Sequence, residues 1–491
     1  MTDSAPIFPR ADILCRPVEL PRRLDELLDL LTGDDEPALL DSAAGATYGR
    51  YSLLACRPLE VLCVRDGELT DRTGRRIAPG AGAIWQVLAR ALRPIASTQP
   101  GAPPYGPGWI GYVGYEIGRL IERLPSRAVA DTALPDLRLA FYDAVLVADT
   151  RTGNAWLVEL KFGAPAPREA GAAAGRLREL LARGDARDRA GCPAPQAKPR
   201  GKPFDARSNF TPDQYRQAVG RCVEYIAAGD IFQVNLSQRF EIPDAPDARD
   251  VYRVLRRRNP ACYAGYVEFA AGTRRCAVLS SSPELFLRVR GRSIVTRPIK
   301  GTRRRPGRPR ADAAMRTDLV KSPKDNAELA MIVDLLRNDL GRVCQYGTIR
   351  VAEPATLEDH PTVFHLVATV TGELRPDVGA AELLQATFPG GSITGAPKIR
   401  AMEIIDELEG VARGVYTGCL GIVTACGDCE WNIAIRTIVY DGSRALIQAG
   451  GGIVADSSPQ GEYEETLHKA RALLEAVETA RTSLAGGRIR V

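Results

Sequence analysis

Ser280–Arg305, SSSPELFLRVRGRSIVTRPIKGTRRR, holds one carboxylate, Glu284, and one amine, Lys300, on either side of two β-rich runs. Glu284-Leu285-Phe286-Leu287-Arg288-Val289 and Ser293-Ile294-Val295-Thr296-Arg297 are separated by Gly291, the pattern of a hairpin. Antiparallel pairing brings the residue before the first strand and the residue after the second to the same end of a sheet. Glu284 and Lys300 are therefore expected to be neighbours. Pro283 and Pro298 remove ladder donors at the strand ends, and Gly301 permits close backbone approach. Spacing alone also allows a solvated surface Lys/Glu pair, so the remainder of the chain must decide.

The chain has 491 residues, 45% hydrophobic and 25% charged, enough for two domains or one large composite fold. Its net charge of +5 is slight over this length and argues against a nucleic-acid or membrane partner. Arg303, Arg304, Arg305, Arg308 and Arg310 crowd one Pro/Gly segment, read as a solvated loop. The eleven cysteines are scattered and the N-terminus lacks a signal-peptide pattern, so a reduced, cytoplasmic setting is expected. Cys426-Gly427-Asp428-Cys429 has no second Cys/His pair at zinc-site distance and reads as a turn between strands.

Residues 1–183 read as a mainly β segment, with strands at Leu39–Ser42, Tyr51–Ala55, Leu59–Val64 and Ala140–Val147 and a helix over Ile84–Leu92. The Gly/aromatic run 106–115 suits a strand lying close against another backbone. An Ala/Arg helix ends near Arg183, and 184–203, rich in Ala, Pro, Gly and charge, reads as a linker to a second segment, 204–485.

That segment opens with Thr211-Pro212-Asp213-Gln214, a capping box with proline at the first helical position. Ile231–Phe240 then alternates as a strand with Gln233, Asn235 and Ser237 on a polar face that wants solvent or ligand. Ser322-Pro323-Lys324-Asp325 caps a second helix, in which Glu328 sits beside an apolar stripe and wants a cation. Phe364-His365-Leu366-Val367 reads as a strand. The glycine-rich 388–398 loop feeds a helix and can cradle an anion, although it is no Walker loop. Gly450, Gly451 and Gly452 weaken a strand and suggest backbone close to a ligand. Glu462, Glu465 and Lys469 share one face of the last helix, a spacing that can serve Mg²⁺ or simply make an exposed stripe.

Taken in order, AGDIFQVNLSQRF, SSSPELF, TRPIKGT, AELAMIVDLLRNDLGRV, FHLVATVTGEL, FPGGSITGAPKIRAMEII, YTGCLGIV, NIAIRT and AGGGIVADSSPQGEYEETLHKA resemble the chorismate-utilising enzymes over nearly all of 204–480. The resemblance implies an α+β fold with large antiparallel sheets packed as a β-sandwich and helices outside. Within the family, lysine at the PIKGT position resembles the aminodeoxychorismate synthase branch, whereas the anthranilate synthase branch usually carries alanine. On that resemblance Lys300 is the nucleophile and Glu284 the general acid. Mg²⁺ is held by Glu328 and Glu465, with Glu462 beside them. His365, Thr394, Tyr416, Arg436, Gly450, Gly451, Gly452 and Lys469 contact substrate. Gln233 stands where water-adding relatives carry a lysine base.

Lys300 needs a lowered pKa, which burial or cations such as Arg297 would supply, and Glu284 a raised one. No glutamine amidotransferase pattern is visible, so the resemblance implies chorismate and ammonia as substrates, the ammonia coming from a separate amidotransferase subunit. Ser42, Tyr48, Gly49, Arg50, Tyr51, Cys262, Tyr263 and Ala264 match segments that hold tryptophan in relatives, with Cys262 in place of a usual proline. Competing readings are the anthranilate-forming branch and a non-catalytic chorismate- or tryptophan-binding regulator.

Overall fold

The computed structural model describes residues 6–43, 49–184, 205–360 and 363–486. Two 12-stranded antiparallel sheets carry the fold, and one buried apolar cluster fills the space between them. This is the expected α+β sandwich with helices outside. In the first sheet, Ala11–Val18, Ala155–Phe162, Ala144–Asp149, Tyr51–Ala55 and Ala38–Asp41 lead into Tyr263–Ala271, Arg274–Ser282, Thr437–Asp441, Arg444–Ile453 and Gln233–Ile242. In the second, Ile299–Arg304, Val363–Glu373, Ser293–Arg297, Leu285–Arg290, Cys429–Asn432 and Cys419–Thr424 lead into Gly108–Val113, Leu137–Tyr142 and Glu60–Arg65.

Strands from the 1–183 and 204–485 segments thus share both sheets. They join where Ala38–Asp41 pairs with Tyr263–Ala271 and where Gly108–Val113 pairs with Cys419–Thr424. At the second junction a Cβ on Gly111 would lie 1.9 Å from the Arg138 carbonyl oxygen, which is why this Gly/aromatic run carries so little side chain. The linker expected over 184–203 lies outside the described residues from 185 onward.

Two sequence expectations change. Ala140–Val147, read as one strand, is two: Leu137–Tyr142 belongs to the second sheet and Ala144–Asp149 to the first, with the chain crossing at Asp143. The arginine-rich segment is a solvated loop only over 305–308. Arg303 and Arg304 end a strand, Arg310 lies in the Pro309–Lys321 helix, and Arg303 pairs with Asp325 at 2.9 Å and also with Asp318. Arg305 pairs with Asp312 at 3.3 Å. These three intramolecular partners are invisible in a one-dimensional charge run.

The capped helices form where the caps predict. Thr211 makes a full capping box at the start of Pro212–Ala227, and the Ser322 hydroxyl accepts from the Asp325 N–H at the start of Pro323–Gly341. The Cys426–Cys429 segment is the turn between Cys419–Thr424 and Cys429–Asn432. Among the described residues no helix is long and apolar enough to cross a membrane.

Candidate active site

Leu285–Arg290 and Ser293–Arg297 form the expected hairpin, closed by Gly291 at φ 58°. After Pro298 the chain does not continue the hairpin. It stays paired with Val363–Glu373, which already flanks Ser293–Arg297, and a register break between Lys300 and Thr302, at Gly301 with φ 74°, re-aims the lysine. Glu284 and Lys300 then meet through one residue of the glycine-rich loop. The Ser392 hydroxyl donates to Glu284 Oε1 at 2.7 Å, and Lys300 Nζ donates to the Ser392 carbonyl at 3.1 Å.

Glu284 is 5% exposed, and burial raises its pKa despite the opposing Ser392 hydrogen bond and the charge of Lys300. Burial lowers that of Lys300, with Lys469 adding to the effect and Glu284, Glu328 and Glu465 opposing it. Arg297 does not supply this shift: its guanidinium pairs with Glu358 at 2.7 Å, which spends its charge locally.

Behind the lysine lie three carboxylates. Glu328 faces Lys324 at 4.0 Å, and burial raises its pKa. Burial also pushes Glu465 up, but Lys469, Lys324 and Lys300 outweigh it and hold Glu465 low. Lys469 Nζ bridges Glu465, at 2.7 Å, and the Gly450 carbonyl, at 2.9 Å. Glu462 accepts from the Ser457 hydroxyl at 2.6 Å through Oε1, while its Oε2 is buried with no hydrogen-bond partner. That orphaned acceptor, beside two other carboxylates, fits a divalent cation. Among the described residues no three His, Cys, Asp or Glu side chains converge to cage an ion unaided. Mg²⁺ asks for only one or two protein carboxylates, with the remainder from substrate and water.

The three glycines serve protein packing first. A Cβ on Gly450 would lie 2.5 Å from the Leu236 carbonyl oxygen, one on Gly451 2.9 Å from Glu462 Oε2, and one on Gly452 2.1 Å from Gln233 Nε2. The Cβ side of these positions is thus filled by the neighbouring strand, the helix carboxylates and Gln233.

Arg436, at φ 49°, is half-buried beside His365, and desolvation lowers its pKa. Among the described residues its guanidinium has no carboxylate and no hydrogen-bond acceptor, an arrangement that awaits an anion. His365 is 2% exposed, and its Nδ1 lies 2.9 Å from the Thr302 hydroxyl. Burial, Arg436 and His360 hold its pKa well below normal, so the ring is neutral. Tyr416 is buried, and its phenol is pushed up by burial. Thr394 turns its hydroxyl to the Gly390 carbonyl at 3.1 Å, so it braces the loop.

Sequence reading missed the support beneath this loop. Arg413 and Glu409, each 1% exposed, pair at 2.6 Å, and Arg413 also donates to the carbonyls of Ile393 and Asn235 and to the Thr417 hydroxyl. An Arg four residues after a Glu was the available signal, but it is shared with any exposed helix pair.

The segments expected to hold tryptophan do come together. Tyr51, Cys262, Tyr263 and Ala264 line one cavity with Tyr105 and Glu430, and Gly49 packs on Ser42 and Cys262. The Ser42 and Tyr263 hydroxyls are buried without partners. Arg50 is committed to Asp149, with one contact at 2.9 Å, and Tyr48 lies outside the described residues.

With this geometry in view, comparison with known proteins is decisive at family level. A model of the chorismate binding enzymes matches residues 48–475. The chain belongs to that family. Aminodeoxychorismate synthase component 1 of Klebsiella aerogenes is 39% identical over 88% of this chain and 91% of its own length. Anthranilate synthase component 1 of Pseudomonas aeruginosa is 40% identical over 91% of each chain. In structure, anthranilate synthase component I of Streptococcus pneumoniae matches with a TM-score of 0.73 at 32% identity, over 87% of this chain and 93% of that one. Chorismate-binding enzymes of both activities are therefore about equally similar to this chain, and the choice between them falls to individual residues.

Proposed function

We propose that this protein aminates chorismate with ammonia to 4-amino-4-deoxychorismate. The observation that carries the reading is the Lys300–Ser392–Glu284 arrangement: a half-buried amine biased toward its neutral form and a buried acid biased toward its protonated form, held on one residue. An amine must be neutral to attack, and a carboxyl must be protonated to release a hydroxyl as water.

Arg436 and Tyr416 hold the enolpyruvyl carboxylate, while the ring carboxylate lies toward Glu328 and Glu465. Those two glutamates, with Glu462 alongside, would hold Mg²⁺, which when bound offsets the ring carboxylate's charge. Lys300 Nζ forms a bond to C2, the ring double bonds shift, and the C4–O bond breaks. The proton of Glu284 leaves with that oxygen as water. Glu284 then takes a proton from the new lysine–carbon linkage. Ammonia bonds to C4, the C2–N bond breaks, and Glu284 returns its proton to the departing lysine. Last, the C4 ammonium gives one proton to Glu284, so ammonia has replaced water and both side chains are restored.

Ammonia would come from a separate glutamine amidotransferase subunit, and the cavity lined by Tyr51, Cys262 and Tyr263 is a seat for tryptophan. Anthranilate formation is the second reading, favoured by the equal similarity to enzymes of that name. Purified protein incubated with chorismate, Mg²⁺ and ammonium decides between them. Chorismate consumption without pyruvate, followed by pyruvate release only on addition of a lyase, is the expected result. Anthranilate and pyruvate without the lyase would overturn the reading.

A further inference from the structure

Among the described residues Ser392 is the one that touches both reacting groups through hydrogen bonds, and it does so with two different atoms. Ser392 is 8% exposed and sits on the short Gly391–Ile393 turn. That turn is fixed from below: Arg413 donates to the Ile393 carbonyl at 3.1 Å, and the Leu335 side chain fills the space where a Gly391 Cβ would lie. The Asn235 N–H donates to the Thr394 carbonyl at 2.8 Å. Ser392 is thus set on a rigid support, with its hydroxyl on one neighbour and its carbonyl on the other.

Resting on the assignment of Glu284 as acid and Lys300 as nucleophile, we propose that Ser392 is a positioning residue that selects which oxygen of Glu284 carries the transferable proton and which way the Lys300 lone pair points. A carboxyl oxygen that accepts a hydroxyl proton plays the carbonyl part, so the acidic hydrogen belongs on Oε2. A neutral amine that donates one N–H to a carbonyl has its lone pair directed elsewhere, here away from the turn. One residue therefore orients donor and nucleophile together, and a drift of the turn would misalign both at once.

The charged groups facing Glu284 are Lys300 and Lys469, and those facing Lys300 are Glu284, Glu328, Glu465 and Lys469. None of them is altered by Ser392→Ala, and the backbone carbonyl that receives Lys300 also remains. The variant therefore removes only the hydroxyl. Because that hydrogen bond favours the ionised form of Glu284, its loss raises the pKa of the acid further.

The test is kcat/KM for chorismate against pH, with free ammonia held constant, for the wild type and for Ser392→Ala, Ser392→Cys and Ser392→Thr. In Ser392→Ala the maximum falls roughly tenfold, and the alkaline limb moves up by about one pH unit, the equivalent of losing one hydrogen bond to a charged group. Ser392→Cys, close in volume but a weak donor, shows the same displacement. Ser392→Thr restores the wild-type limb. Wild-type profiles in the alanine and cysteine variants, or a threonine variant as displaced as alanine, would overturn the proposal. Glu284→Gln separates this from failure of the underlying reading: if it turns over normally the acid assignment is wrong, whereas if it is inactive and Ser392→Ala is unchanged, only the role of Ser392 is wrong.

Discussion

Arg436 offers the sharpest separation of binding from stability. Arg436 is half-buried and, among the described residues, its guanidinium has neither counter-ion nor acceptor, so the free protein bears part of the cost of desolvating it. Arg436→Met keeps much of the apolar stem and removes the charge. In the account above a bidentate contact to a substrate carboxylate disappears, at about 1.5 kcal/mol for each hydrogen bond to a charged group. The total of about 3 kcal/mol corresponds to a roughly hundredfold rise in KM for chorismate.

The fold should move the other way, because desolvation of an unpaired ion no longer opposes folding. A recovery of about 1–3 kcal/mol is expected. Unfolding entropy of about 2.1 cal/mol/K per residue makes one kcal/mol worth about 1 °C in a chain of this length, so Tm rises by about 1–3 °C. Steady-state kinetics and differential scanning calorimetry, both without tryptophan, measure the two effects. A variant that is less stable than wild type, or that binds chorismate normally, would show that Arg436 is satisfied within the protein and does not wait for an anion.

Glu284→Gln retains shape but cannot give up a proton, so kcat should fall by about 10²–10⁴-fold with KM for chorismate little changed; parallel loss of binding would contradict the acid role. His365 has a folded pKa depressed below its unfolded value near 6.5, so the unfolded chain binds the extra proton as pH falls. Its contribution is fully present above pH 6.5 and is lost at up to about 1.4 kcal/mol per pH unit below it. Urea denaturation between pH 7 and 5.5 should show this slope in the wild type and a flatter one in His365→Asn; equal slopes would refute the neutral-histidine assignment. Arg413→Met strands Glu409 in the core and should cost about 3–5 kcal/mol by denaturant unfolding, with a loss under 1 kcal/mol counting against the pair as the support of the loop.

What the sequence made legible was local. The hairpin followed from β-rich runs around Gly291, and the helix starts at Thr211 and Ser322 followed from cap chemistry that acts within four residues. The proximity of Glu284 and Lys300 followed from strand pairing. What stayed hidden depends on partners distant in the chain. Ser392 lies 92 residues from Lys300 and 108 from Glu284, so no spacing rule could join them. The glycine run suggested backbone close to a ligand, but that Gln233 of the neighbouring strand packs on the Cβ side of Gly452 could not be read from it. Asp143 looked like part of one strand because a run of buried residues has the same pattern whether or not it changes sheets.

The central claim is that Lys300 bonds covalently to the substrate ring before ammonia arrives. Intact-mass and peptide-mapping spectrometry of the protein mixed with chorismate and Mg²⁺, quenched in acid without ammonia, tests it most directly. The account predicts a mass increase equal to chorismate less one water, located on Lys300 and absent from Lys300→Ala. Aminated product formed at full rate by protein in which Lys300 is never modified would contradict it.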